Sequence, residues 1–191
     1  MRATMFLLAV ATLALGLPGC TSRSGLTEEA HPLVGKKAPT FTATALDGRP
    51  FDLADHLGKE VVILDFWATW CGPCVMSLPA IASVARRYQD QGVSLYAVNL
   101  GDPPDSVRSF LKQKSLDIDV LLDGDSSIGN LYQAEAIPQT VIIARDGMIK
   151  RVHVGYSPDL GSELATELDQ LVQDANATAK PAASHDDLAR D

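Results

Sequence analysis

The chain has 191 residues and a formal net charge of −8, enough length for a single core that needs no disulfide staples to be stable. That charge, with a pI near 4.9, excludes phosphate-backbone binding by clustered Lys and Arg, so no nucleic-acid partner is expected. Three cysteines make an odd count, which leaves one thiol free or consumed by other chemistry.

The first element in the chain is an export signal. Residues 1–19 read as a signal peptide of the lipoprotein type: Arg2 supplies a positive start, and residues 5–17 form an apolar stretch too short to cross about 30 Å of hydrocarbon comfortably. Leu17-Pro18-Gly19-Cys20 resembles the lipobox of bacterial lipoproteins, with Pro18 where that motif prefers a small residue. The resemblance implies that Cys20 is the lipidation site and ties the chain to a lipid membrane. An ordinary secretory cut, leaving Cys20 as a stray thiol, and an uncleaved N-terminal anchor are the alternatives. Each places the domain outside the cytoplasm. Residues 20–31 are polar without an apolar period and read as a flexible tether.

A folded domain is expected over residues 32–175. Residues 41–46 and 51–53 flank Asp47-Gly48, whose tolerance of positive φ suits a hairpin turn. Residues 61–66 are almost continuously apolar, the pattern of a strand buried on both faces. Beyond Pro73, the residues Cys74, Leu78, Ile81, Ala82, Ala85 and Tyr88 share one helical face up to Gly92. A strand at 93–98, a helix at 106–114, a short strand at 120–122 and a short helix at 126–132 follow. Strands at 140–144 and 149–154 are joined by Asp146-Gly147 as a second hairpin. Ser157 is expected to cap a last helix with Pro158 at its first position, since Leu160, Leu164, Leu168, Leu171 and Val172 recur at helical spacing. Residues 176–191, rich in small and charged residues, are expected to form a disordered tail. The sum is an α/β domain, a central mixed sheet flanked by helices.

Chemistry concentrates in Trp70-Cys71-Gly72-Pro73-Cys74, at the junction of the buried strand and the first long helix. A helix N-terminus carries unpaired N–H groups and about half a positive charge, so it stabilises a thiolate there and lowers its pKa. Cys71, at the helix mouth, is the expected nucleophile, and Cys74, one turn in, the resolving thiol. Two intervening residues put both sulfurs within disulfide reach. Pro73 fits because the first turn does not use its missing N–H. A C-x-x-C pair is also half a zinc site, but His31, His56, His153 and His185 supply no closely spaced second pair, so no metal is assigned. A purely structural disulfide is disfavoured too, since so short a loop removes little unfolded-state entropy.

The segment Asp65-Phe66-Trp67-Ala68-Thr69-Trp70-Cys71-Gly72-Pro73-Cys74 resembles the active-site segment of thioredoxins, and Ile137-Pro138-Gln139-Thr140 resembles their cis-proline loop. Pro79 matches the proline that kinks the active-site helix, and Gly155 the glycine near the site. The lead hairpin, the lipoprotein-like start and the long insertion over residues 100–135 resemble the TlpA and ResA branch. What this implies is a thioredoxin-like fold with an N-terminal β-hairpin and an insertion before the cis-proline loop. It also implies an extracytoplasmic, membrane-anchored thiol-disulfide oxidoreductase that acts on protein disulfides or dithiols and takes electrons from a membrane donor. Several members of that branch serve cytochrome c maturation. No cofactor is implied beyond the Cys71–Cys74 redox pair.

The resemblance also assigns roles. Ile137 pairs by backbone with a substrate chain, Pro138 shapes the groove, and Trp70, Gly72, Pro73 and Gly155 border it. Trp70 is expected to cover one side of the disulfide, while Trp67 is either a neighbour of the site or a core aromatic. Asp65 matches the buried acid that manages the proton of the resolving cysteine, and the apolar run around it independently predicts a raised pKa. ResA-like proteins carry a glutamate three residues after the second cysteine, where this chain has Ser77, so Asp65 is expected to take over that role. The Gly-Pro dipeptide favours a reductant within a range of about −270 to −120 mV for such sites. An oxidase or isomerase of the same superfamily is the nearest alternative. Peroxiredoxins place their nucleophile in a Pro-x-x-x-Thr-x-x-Cys context that the residues before Cys71 lack. A Sco-like copper carrier needs wider cysteine spacing and a distant histidine such as His153.

Overall fold

The computed structural model describes residues 31–179. The expected signal peptide, the lipidation site Cys20, the tether up to residue 30 and the tail from residue 180 lie outside the described residues. Among the described residues no helix is long and apolar enough to cross a membrane.

The centre of the domain is β3 (Val61–Trp67), all seven residues of which are buried. It lies between β4 (Val93–Leu100), which runs parallel to it, and β6 (Gln139–Ile143), which runs antiparallel. Successive strand residues point to opposite faces, so a continuous apolar run serves two cores at once. Val62, Leu64 and Phe66 pack into one, while Val61 and Ile63, and then Trp67, pack into clusters on the other face. That alternation places Asp65 on the same face as Ile63 and Trp67.

This second face is covered by α1 (Gly72–Tyr88) and α4 (Leu160–Ala179), with α2 (Pro104–Lys114) contributing Val107 and Phe110 beside them. Leu78 and Ile81 of α1 are fully buried, each contributing about 1.5–3 kcal/mol relative to exposure. The first face is covered by β1 (Thr42–Ala45), β2 (Pro50–Asp52) and α3 (Ser127–Leu131), through Ala45, Phe51, Ile128 and the neighbouring Tyr132.

The insertion does more than lengthen a loop. Its strand β5 (Asp119–Asp123) pairs parallel with β4 and antiparallel with β1, so it joins the N-terminal hairpin to the sheet. With β7 (Ile149–Val154) antiparallel to β6, the seven-stranded order is β2-β1-β5-β4-β3-β6-β7. Both Asp-Gly turns form as expected, with Gly48 at φ 89° and Gly147 at φ 77°.

The C-terminal helix differs from expectation at both ends. It begins at Leu160, not Pro158, because the Ser157 hydroxyl accepts the Asp159 N–H at 3.2 Å and its carbonyl accepts the Leu160 N–H at 3.3 Å. That local turn competes with helix and delays its start. The helix then continues to Ala179, past the boundary expected at residue 175.

Candidate active site

Cys71 occupies the N-cap of α1 with extended backbone (φ −82°, ψ 98°), and Gly72 and Pro73 open the helix. The Cys74 N–H donates to Cys71 Sγ at 3.2 Å, so a first-turn N–H with no helical partner already points at that sulfur. The two cysteines are joined as a disulfide with an S–S distance of 2.03 Å. Cys71 retains 6 % of its surface exposed and Cys74 none. One cysteine therefore reaches the edge of solvent, and the other is fully enclosed.

The loop before β6 reaches the same point. Ile137–Pro138 is a cis peptide, and the Ile137 carbonyl oxygen lies 3.8 Å from Cys71 Sγ. Gly155, at φ 86°, donates its N–H to the Pro138 carbonyl at 2.8 Å, a left-handed backbone that favours glycine. Cys71, Ile137, Pro138 and Gly155, distant in sequence, are thus brought together. Trp70, which precedes Cys71, is 72 % exposed. Trp67 combines both readings, being fully buried in the cluster that contains Cys71 and Cys74, with its ring centroid 5.0 Å from that of Phe110.

Asp65 is completely buried. Thr140 Oγ1 donates to its Oδ1 at 2.8 Å, while Oδ2 has no hydrogen-bond partner. Loss of solvent around the charged form raises its pKa to about 7, against the smaller opposing effect of the Thr140 hydroxyl. The other buried carboxylate among the described residues, Asp123, differs in kind. Its oxygens accept from Ile128 N–H, Gly129 N–H and the Ser127 hydroxyl, which pins the start of α3. Ser77, where the resemblance led to the expectation of a glutamate, is buried and donates to the Cys74 carbonyl at 3.2 Å, so it is a neutral partner of the helix backbone. Pro79 lies inside α1.

His56 and His153, to which no role was assigned from sequence, both have partners. His56 Nδ1 lies against Glu60 Oε1 and the Tyr96 hydroxyl, and His153 Nε2 against Glu167 Oε2 of α4 at 2.9 Å.

Two supports of the site were not foreseen. Asp102 binds Thr69, two residues before Cys71, and is itself held by Asn99. Gln139 Nε2, next to Pro138, donates to the Tyr132 carbonyl at 2.8 Å, and the Tyr132 hydroxyl donates to the Pro39 carbonyl at 2.7 Å. The insertion therefore braces both the loop before Cys71 and the cis-proline loop. The available signal was Asn99, a lone amide near the end of an apolar strand.

The chain matches the model of the AhpC/TSA family over residues 34–152. It is 34 % identical to the thiol-disulfide oxidoreductase ResA of Geobacillus thermodenitrificans over 155 residues, covering 81 % of this chain and 86 % of the relative. Among solved structures, a candidate thiol:disulfide interchange protein DsbE of Chlorobium tepidum superposes with a TM-score of 0.68 at 32 % identity, covering 73 % of this chain and 97 % of that one. A secreted disulfide oxidoreductase of Mycobacterium tuberculosis, homologous to E. coli DsbE, gives 0.59 at 28 % identity, covering 69 % and 96 %. Since the family match runs through the strand, the disulfide and the helix that carries it, the chain belongs to the AhpC/TSA family and is a thiol-disulfide oxidoreductase of the ResA type.

Proposed function

We propose that the chain reduces protein disulfides outside the cytoplasm, as a lipid-anchored domain recharged by a membrane electron donor. The observation that carries this reading is the unequal burial of the two cysteines: Cys71 keeps 6 % of its surface exposed, with its sulfur against the Ile137 carbonyl, and Cys74 is fully enclosed. In the reduced protein the Cys71 thiolate attacks one sulfur of a substrate disulfide, forming a Cys71–substrate disulfide and releasing one substrate thiolate. Backbone groups of Ile137, with Pro138 and Gly155 shaping the groove and Trp70, Gly72 and Pro73 at its rim, hold the substrate strand. Asp65 accepts the Cys74 proton, and the Cys74 thiolate attacks Cys71 Sγ. The second substrate thiolate leaves, and the Cys71–Cys74 disulfide forms. Two electrons have passed to the substrate, and the donor returns two to the pair.

Anchoring through Cys20, the signal at residues 1–19 and the tether at 20–31 supply the location. The secreted relative of Mycobacterium tuberculosis supports the same compartment. Maturation of c-type cytochromes, which requires reduced haem-binding thiols, is the process this reading favours.

A Cys74→Ser variant expressed with its leader tests the chemistry: mixed disulfides are expected on Cys71, with thiol proteins of the same compartment. No accumulation in that variant, or equal accumulation after Cys71→Ser, overturns it. Incorporation of labelled palmitate that disappears in Cys20→Ala tests the anchor.

A further inference from the structure

The approach to Cys71 is held by a carboxylate from another element. Thr69 donates twice to Asp102, from its N–H to Oδ2 at 2.6 Å and from its hydroxyl to Oδ1 at 2.9 Å. Asn99, 1 % exposed, donates its amide to the same Oδ2 at 2.9 Å and accepts the Asp102 N–H at 3.2 Å. Asn99 lies in register with Trp67 at the ends of the parallel central strands. Gly101, at φ 76°, turns the chain after β4, and Pro103 and Pro104 then open α2, so Asp102 sits in a loop with little freedom. No Lys, Arg or His among the described residues forms an ion pair with it.

From this geometry we infer that Asp102 is a positioning residue for the redox pair: it fixes the Thr69–Cys71 turn, and its unneutralised charge biases the pair toward the disulfide. The inference rests on the thiol-disulfide exchange described above. Three charge-assisted donors make a strong, directional clamp. The carboxylate is bonded to Thr69, two residues before the cysteine whose sulfur becomes a thiolate on reduction. Like charge disfavours that thiolate, hence the reduced form, and a less stable reduced form is a stronger reductant. The effect opposes that of the helix N-terminus and favours the reductant direction.

The test is equilibration with glutathione, in which the disulfide and two glutathione thiols yield the dithiol and one oxidised glutathione, together with titration of Cys71 by thiolate absorbance. Wild type, Asp102→Asn, Thr69→Val and Thr69→Ser are compared. Wild-type cycling between disulfide and dithiol is measured first, and its absence defeats the functional reading itself. Given cycling, Asp102→Asn is expected to shift the equilibrium three- to tenfold toward the dithiol, tenfold being about 30 mV, and to lower the Cys71 titration. Thr69→Val, which keeps the charge but loses one bond, is expected to raise KM with kcat less affected, and Thr69→Ser to restore wild-type values. An Asp102→Asn equilibrium within twofold of wild type overturns the inference. If that variant does not fold, Thr69→Val and Thr69→Ser that both match wild type in equilibrium and KM overturn it equally.

Discussion

Asp65 and Thr140 face each other across adjacent antiparallel strands, and the single bond between them, Thr140 Oγ1 to Asp65 Oδ1 at 2.8 Å, is the only hydrogen bond that the carboxylate's side chain receives among the described residues. In the interior, a carboxylate with one donor resists ionisation more strongly than one with two or three. This pair therefore sets where the Asp65 carboxyl gains and loses its proton.

The first expected outcome concerns stability. The Asp65 pKa is raised from 3.8 to about 7, so the folded state binds the proton more tightly than the unfolded chain does. Its stabilising contribution is complete below about pH 4 and is lost as pH rises through 7. Asp65→Asn, which cannot ionise, should equal wild type near pH 4 and exceed it at pH 8 by up to about 4 kcal/mol, at about 1.4 kcal/mol per pKa unit. Urea unfolding of the oxidised forms at both pH values measures this, and an advantage at pH 4 that disappears at pH 8 contradicts it.

The second concerns rate. If Asp65 takes the Cys74 proton, resolution of a mixed disulfide should accelerate as pH rises through about 7. Asp65→Asn should lose that inflection and slow the step on the order of 10²-fold. Quenched-flow measurement of product release from a preformed Cys71 adduct reads it.

Thr140→Val provides an independent check on the same group. Removing the hydroxyl leaves both oxygens of Asp65 without a side-chain donor, so its pKa should rise further and the inflection move to higher pH. Carbon-13 titration of the Asp65 carboxyl in wild type and variant should show the displacement, and an unchanged or lower value would mean that the Thr140 bond is not what steadies the charge.

Accessibility makes the fourth. With Cys71 at 6 % exposure and Cys74 at none, iodoacetamide should modify Cys71 of the reduced protein at least about tenfold faster, since thiolate character and access decide reactivity. Peptide mapping after partial alkylation distinguishes the two.

Trp70, 72 % exposed, should behave as a rim residue. Trp70→Ala is expected to change stability by less than about 0.5 kcal/mol, as surface substitutions do. It should also raise KM for a protein disulfide several-fold. A large loss of stability with unchanged KM would place its role in folding.

Much of the framework was readable one segment at a time. The run over residues 61–66 announced a strand buried on both faces, and an acid inside it could only be desolvated. Asp-Gly steps fixed two hairpins because few other residues accept that backbone. Cys71 and Cys74 declared their separation and their place at a helix start. In each case the physics is local: backbone preference, period and short-range spacing. How far Trp70 is exposed was not legible, because whether an aromatic is covered depends on what other elements place above it. The start of the last helix was misplaced because Ser157, through its hydroxyl and its carbonyl, closes a local turn ahead of it.

The sequence alone determined that this chain carries a dithiol pair at a helix mouth, a buried acid one strand away and an α/β frame around them, since all three follow from neighbouring residues. Only the tertiary structure decided which partners complete them. Asp102 reaches Thr69 across 33 positions, Thr140 reaches Asp65 across 75, and Ile137 meets Cys71 across 66. A hydrogen bond or an approach of that kind depends on strand order and register, which no window of sequence contains.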